Sequence, residues 1–207
     1  MKNKKTYNGS NSSTQRSILM CKFFRTALCM LVVFMGGYAQ AAQQWQVSSE
    51  KSNVSFIVHA TLNEVHGKAQ ELLGGFDQQS NSIKGFVDVG VASLTTANKA
   101  RDNDMYRMFD LSRYADIRFT FDNTDISNVL NHHDGDITFS GIMTIHNVSH
   151  PVTLISKGHM DQNALVCQGQ MSIHLKDYDL KHPSLLGIIH VRDEVIVKYT
   201  VVFVNKL

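Results

Sequence analysis

The chain has 207 residues and carries 20 lysines and arginines against 18 aspartates and glutamates, a formal net charge of +2. Six of the basic residues and none of the acidic ones precede residue 42, so the 166 residues from there onward hold 14 basic and 18 acidic side chains, a formal charge of −4. This balance leaves no basic face for nucleic acid and excludes that class of partner, while the length suits one domain with a substantial core.

The first 41 residues have the pattern of a secretory signal peptide. Lys22 and Arg25 precede an apolar stretch over residues 27–34, and small residues follow up to Ala41. A positive start, a short apolar middle and a small-residue cleavage site are typical of such leaders. The apolar stretch is too short to span a bilayer comfortably, which disfavours the alternative of a membrane anchor. We predict a removed signal peptide over 1–41, with translation starting at Met1 or Met20, and a mature domain over 42–207.

Cysteine usage is consistent with export without disulfides. Cys21 and Cys29 lie in the predicted leader, and Cys167 alone cannot form an internal bridge. Cys167 lies in a strand-like run without an activating neighbour in the sequence, so a packing role is favoured over a catalytic thiol. We predict a periplasmic location, with full secretion as the alternative.

Alternation of apolar and polar residues predicts strands through most of the mature domain. In chain order, the predicted strands cover residues 45–48, 54–61, 64–79, 83–92, 117–122, 137–145, 152–156, 165–175 and 194–204. Glycines within 64–79 indicate bends of the kind that a closing barrel needs at its corners. Residues 147–150 are predicted to form a turn, and Pro151 and Pro183 to lie outside strand interiors.

A single helix is predicted over residues 98–109. Thr96 is its expected N-cap, and Met105, Met108 and Phe109 form an apolar stripe at helical spacing that is expected to pack onto the mouth of a barrel. Eight or nine strands with one short helix predict an all-β fold, a closed antiparallel β-barrel of about eight strands with one short α-helix.

One face of these strands supplies a set of large apolar side chains that we expect to point inward. The candidate ligand-binding residues are Phe56, Val58, Val87, Val89, Phe119, Phe121, Phe139, Met143, Ile145, Leu154 and Tyr199. Small eight-stranded barrels are either filled by their side chains or hold one small ligand. The residues alone leave both alternatives open.

Ten histidines, all in the mature domain, raise the alternative of a metal site or of acid–base chemistry. The most suggestive pair, His132 and His133, lies in a stretch rich in Asn, Asp and Gly that is more typical of a solvated loop. Asp177 and Asp179 would share a strand face if their segment were extended. There is no metalloprotease helix motif, nucleophile elbow, phosphate loop or dinucleotide fingerprint, so we expect neither catalysis nor a cofactor.

The order and spacing of several short motifs resemble the YceI-like family across residues 44–205. These motifs are Trp45-Gln46-Val47, the strand at 52–58, Arg101-Asp102, Phe109-Asp110, Tyr114 with Ile117-Arg118-Phe119, and Gly141 to His146 through Pro151. In this resemblance His146 orients the hairpin that it begins. The chain departs from the family pattern at Asp104, at Ala115 and over Lys176 to Asp179.

The resemblance implies a lipocalin-like barrel of eight antiparallel strands whose tunnel binds a polyisoprenoid or a similar long apolar lipid. It also implies export to the periplasm and a monomer or homodimer. Because a bilayer is as apolar as the tunnel, we further expect a carrier or buffer that exchanges its lipid during transient contact with membranes. Two other classes stay open as alternatives. One is a metal-dependent enzyme that uses the His-rich rim, and the other is a filled barrel that acts as a protein-interaction module.

Overall fold

The computed structural model describes residues 42–60, 63–181 and 191–206, so the predicted signal peptide lies outside the described residues. Its strands are β1 (Gln43–Val47), β2 (Asn53–Ala60), β3 (Glu64–Ala69), β4 (Leu72–Gln79), β5 (Ser82–Gly90), β6 (Leu94–Thr95), β7 (Asp116–Asp125), β8 (Asp134–Ile145), β9 (Val148–Asp161), β10 (Ala164–His174) and β11 (Val191–Asn205). Its α-helices are α1 (Lys99–Met108) and α2 (Ser127–His132), and short 3-10 turns cover Ser49–Lys51, Val91–Ser93 and Leu175–Tyr178.

The strands close into an antiparallel barrel. The neighbour order runs β1, β4, β5, β7, β8, β9, β10 and β11, and β11 pairs back onto β1. β11 pairs with β2 over its earlier residues and with β1 over its last three. β2 in turn pairs with β3, as β1 pairs with β4. β1 and β2 therefore act as two halves of one long bent strand, and β3 and β4 as two halves of another. This confirms the predicted eight-stranded antiparallel barrel.

The ladder between β9 and β10 is short, and this explains the position of Pro151. It joins only Lys157–Asp161 to Ala164–Gln168, while β9 pairs with β8 from Val148 to His159. Pro151 lies inside β9, opposite Ile142 of β8, so the prediction that it falls outside a strand interior is wrong. A proline is tolerated there because the ladder to β10 does not extend to it. Pro183 lies outside the described residues.

One end of the barrel is filled by aromatic side chains. Trp45 of β1 stacks on Phe76 of β4 with ring centroids 5.5 Å apart, and Phe76 meets the ring of Phe203 edge-on at 4.9 Å. All three are buried. The indole Nε1 of Trp45 donates a hydrogen bond of 3.0 Å to Gln78, which satisfies its single polar group at this end.

Helix α1 begins one residue later than the sequence predicts, and its N-cap lies two residues later. Its N-cap is Asn98, whose side-chain oxygen accepts hydrogen bonds from the backbone N–H groups of Ala100 and Arg101. Thr96 is therefore not the cap. Its hydroxyl and that of Thr95 donate instead to the carboxylate of Asp102, at 2.6 Å and 2.8 Å.

Two further local features differ from the sequence prediction. A second short helix, α2, covers Ser127–His132 and ends at His133, which adopts a left-handed φ of 65°. The turn between β8 and β9 consists of His146 and Asn147, with φ of 50° and 64°, rather than of residues 147–150. Two consecutive left-handed residues are what a tight two-residue hairpin requires.

Within the described parts of the chain, none of the helices is long and apolar enough to cross a membrane.

Candidate functional site

The barrel encloses an apolar cavity with a volume of about 220 Å³. Its wall consists of hydrocarbon and thioether side chains, apart from Ser156, Cys167 and Tyr199, and none of the described residues that line it is charged. An apolar cavity of roughly 150 Å³ is already large enough to stay dry and to bind benzene. The interior can therefore accept apolar ligand atoms, and the filled-barrel alternative loses its main support.

All eleven candidate residues line this cavity. They come from six strands: Phe56 and Val58 from β2, Val87 and Val89 from β5, Phe119 and Phe121 from β7, Phe139, Met143 and Ile145 from β8, Leu154 from β9 and Tyr199 from β11. The alternation of strand side chains places them on one inner face because each strand turns the same parity of residue inward. That they contact a ligand stays a prediction.

The cavity wall includes residues that the sequence reasoning did not select. They are Val54, Leu94, Met105, Met108, Phe109, Ile117, Ser156, Cys167, Met171, Ile173, Leu175, Leu180, Val195, Val197, Val201 and Phe203. Every second residue along β11 from Tyr199 lines the cavity, so the alternation that selects Tyr199 also predicts the other four wall residues of that strand. In the same way, counting every second residue along β10 from Cys167 predicts Met171 and Ile173. The stripe of α1 faces the cavity and forms part of its wall.

The polar groups in the wall include a hydroxyl pair. Ser156 of β9, which is 1% exposed, and Tyr199 of β11 share a hydrogen bond of 2.8 Å between Oγ and Oη. Between them in the sheet lies Gly169 of β10, and a Cβ at that position would stand 2.3 Å from the Tyr199 hydroxyl. The glycine thus leaves the space in which the tyrosine side chain lies.

Both ionisable groups of the wall stay neutral. Burial raises the pKa of the Cys167 thiol from 9.0 to about 12. Burial also raises the pKa of Tyr199, against an opposing contribution from its hydrogen bond with Ser156. A thiol that is protonated at neutral pH is a poor nucleophile, so Cys167 has the properties of a packing residue.

An ion pair between a buried carboxylate and a half-exposed guanidinium fixes two strands that form part of the wall. Arg118 of β7 donates two hydrogen bonds, of 2.7 Å and 2.6 Å, to the carboxylate of Asp88 on β5. Asp88 is 6% exposed, and the guanidinium also lies 4.8 Å from the centre of the Phe86 ring. Two parallel hydrogen bonds of this kind fix the relative position of the two side chains in addition to pairing their charges. The pair lies on the strand face opposite to Val87 and Phe119, outside the cavity.

The histidines are distributed around the barrel. His59 and His66 both contact Glu64, at 3.1 Å and 3.4 Å, on the β2–β3 hairpin. His132 and His133 end α2, and His146 lies in the β8–β9 turn with its ring edge-on to Tyr114 at 4.6 Å. Among the described residues, no three His, Cys, Asp or Glu side chains converge as a metal site would require. The metal-enzyme alternative gains no support from these positions.

Asp177 and Asp179 do not share a strand face. Asp177 lies in the 3-10 turn Leu175–Tyr178, and Asp179 follows it with a left-handed φ of 56°. The condition for a shared face, an extended segment, is therefore not met. The backbone carbonyl of Asp177 accepts a hydrogen bond of 2.8 Å from His150 of β9. This bond attaches the 3-10 turn to the barrel wall.

Solved structures with the same fold include bacterial proteins of low sequence identity. A polyisoprenoid-binding domain from Saccharophagus degradans, implicated in plant cell wall breakdown, superposes with a TM-score of 0.69 at 15% identity, over 78% of this chain and 98% of that one. BcnA from Burkholderia cenocepacia gives 0.63 at 17% identity, over 75% and 98%. The YceI protein of Campylobacter jejuni gives 0.56 at 21% identity, over 72% and 89%.

No curated protein shows significant sequence similarity to the chain. The family model of the YceI-like domain matches residues 45–203, which span the barrel from β1 to β11. With the closed barrel and its apolar cavity, this match shows that the chain belongs to the YceI-like domain family.

Proposed function

We propose that this protein binds a long apolar lipid of the polyisoprenoid class inside its barrel, and that it does so without catalysing a reaction. The observation that carries the proposal is a cavity of about 220 Å³ whose described lining holds no charged side chain. Such a lining offers a charged ligand no counter-charge, whereas an apolar chain gains free energy by leaving water. The polyisoprenoid-binding domain of Saccharophagus degradans, which has the same fold, supports this ligand class.

The energetic balance favours exchange of the lipid over permanent capture. The alternative location of such a lipid is a bilayer, whose interior is as apolar as the cavity. Transfer of the lipid from bilayer to cavity therefore has a small free-energy change, although transfer from water to either of them is strongly favourable. We propose a carrier or buffer that takes up lipid and returns it during transient membrane contact, in the monomeric or homodimeric state.

We also propose that the protein is exported to the periplasm after cleavage behind Ala41. The basic and apolar pattern of residues 1–41 supports this, together with the absence of acidic residues from that segment. Expression of the full chain in a Gram-negative host tests it. Intact mass of the protein from the periplasmic fraction should correspond to residues 42–207, and retention of the leader in the cytoplasm would contradict the proposal.

The binding proposal is tested with the barrel purified without added ligand. Native mass spectrometry should show an additional apolar mass on a fraction of the protein, which disappears after organic extraction. Liposomes that contain a labelled polyprenol should then lose label to the extracted protein and return it to unlabelled liposomes. Transfer no faster than in a protein-free control would contradict the carrier role, and the absence of both bound mass and transfer would contradict binding.

A further inference from the structure

The Ser156–Tyr199 hydroxyl pair lies well inside the cavity. On β11, Tyr199 stands four residues from Val195 and four from Phe203, and all three line the cavity. At a rise of roughly 3.3 Å per residue, this places Tyr199 about 13 Å along the strand from either of the other two. The pair is therefore close to the middle of an otherwise apolar tunnel.

The two hydroxyls do not satisfy each other completely. Each has one hydrogen to donate and two lone pairs, and the bond of 2.8 Å between them uses one hydrogen. Among the described residues, neither hydroxyl has another hydrogen-bond partner. Burial keeps Tyr199 protonated by raising its pKa, so both hydroxyls carry a hydrogen. One of these two hydrogens remains unused within an otherwise apolar lining.

The electrostatics of the wall restrict what the unused hydrogen can meet. A phosphorylated head group would bring negative charge into the cavity. None of the described lining residues is cationic, and burial of an unpaired charge is strongly unfavourable. A neutral oxygen carries no such penalty and accepts the available hydrogen. A pure hydrocarbon leaves the hydrogen without a partner.

We propose that Ser156 and Tyr199 form a head-group site, at which the barrel holds the neutral hydroxyl or carbonyl oxygen of an isoprenoid with that end inserted. Gly169 is part of this site because a Cβ there would displace the Tyr199 hydroxyl. The inference rests on the proposed lipid-binding function and adds a chemical preference and an orientation to it.

Two isoprenoids of equal carbon count test the site: hexaprenol, which ends in a hydroxyl, and squalene, which has no oxygen. Their affinities for the full barrel are measured by displacement of a fluorescent apolar probe. The wild type should bind hexaprenol about tenfold more tightly than squalene, as expected for one additional hydrogen bond. Tyr199→Phe should weaken hexaprenol binding about tenfold and leave squalene unchanged, and Ser156→Ala is the second variant should the first not fold.

Tyr178→Phe is the matched control because it removes the hydroxyl of a buried tyrosine that does not line the cavity. It should retain the preference for hexaprenol. Equal binding of the two ligands by the wild type would overturn the inference and leave lipid binding intact. A preference for hexaprenol that survives in both Tyr199→Phe and Ser156→Ala would do the same. Failure of both ligands to bind would instead overturn the proposed function and the inference with it.

Discussion

Asp102 is a buried carboxylate that fixes the start of α1. It is 8% exposed and accepts hydrogen bonds from the hydroxyls of Thr95 and Thr96 and from the backbone N–H of Thr96. We expect Asp102→Asn to lower the free energy of unfolding by about 1–3 kcal/mol at pH 7, because the amide cannot accept all of these bonds. Urea denaturation followed by circular dichroism measures the change.

The pH dependence of that change has a defined sign. Burial would raise the pKa of Asp102, but the hydrogen bonds from Thr96 and Thr95 outweigh it and hold the pKa below its ordinary value. A lowered pKa contributes stability that is complete above the unfolded value of about 3.9 and is lost as the pH falls below it. The difference between wild type and Asp102→Asn should therefore shrink below pH of about 4. Asp104→Asn, which removes an exposed ion pair with Arg107, should cost less than about 0.5 kcal/mol at any pH.

Cys167 should be chemically inert in the folded protein. With a pKa of about 12, roughly one thiol in ten thousand is ionised at pH 8. Residues 42–207 contain no other cysteine, so Ellman's reagent reports this thiol alone. The reagent should react within minutes in guanidinium chloride and at least a hundredfold more slowly in buffer. Rapid reaction of the folded protein would show that the thiol is accessible and ionised, contrary to its burial.

At the scale of elements, the short ladder between β9 and β10 has a measurable consequence. β9 pairs with β10 only over Lys157–Asp161, whereas β10 pairs with β11 over its whole length. Amides of Met171–Ile173 that point toward β9 should exchange with solvent faster than those of Leu165–Cys167 that point the same way. Hydrogen exchange followed by NMR resolves individual amides. Equal protection along β10 would mean that the two strands remain joined beyond their ladder.

The strands and their inward faces could be predicted because their pattern is local. A period of two over long segments selected Phe119 with Phe121 and Phe139 with Met143 without any knowledge of the fold. Helix α2 could not be predicted because six residues are too short for a helical period to be visible. Thr96 is a good N-cap by residue type, but it donates its hydroxyl to Asp102, so the cap of α1 is Asn98 and not the residue that the sequence predicts.

The hydroxyl pair could not be predicted from the sequence for a different reason. Ser156 and Tyr199 are 43 residues apart, on strands separated by β10, and they meet because Gly169 leaves room between them. Their contact depends on the registers of β9 and β11 relative to β10. Register of this kind follows from the closed barrel and is not encoded in any single segment.

At the scale of the whole molecule, adjacent positions on β5 distinguish the inside of the barrel from the outside. Val87 lines the cavity, and Phe86 is 39% exposed on the opposite face. Val87→Trp should reduce polyprenol binding more than tenfold by occupying the cavity, at a cost in stability of about 1–3 kcal/mol. Phe86→Trp introduces the same side chain and should leave binding within a factor of two. Loss of binding in both variants, with both folded, would place the ligand outside the barrel.

The most direct measurement of the central claim uses the methionine methyl groups. Met105, Met108, Met143 and Met171 line the cavity from α1, β8 and β10, whereas Met160 of β9 does not. Protein labelled with ¹³C at the methionine methyls is titrated with hexaprenol and followed by NMR. The account predicts that the four cavity signals shift or broaden together while that of Met160 keeps its position. A titration that moves only Met160, or none of the five although the ligand is bound, would contradict an apolar ligand held inside the barrel.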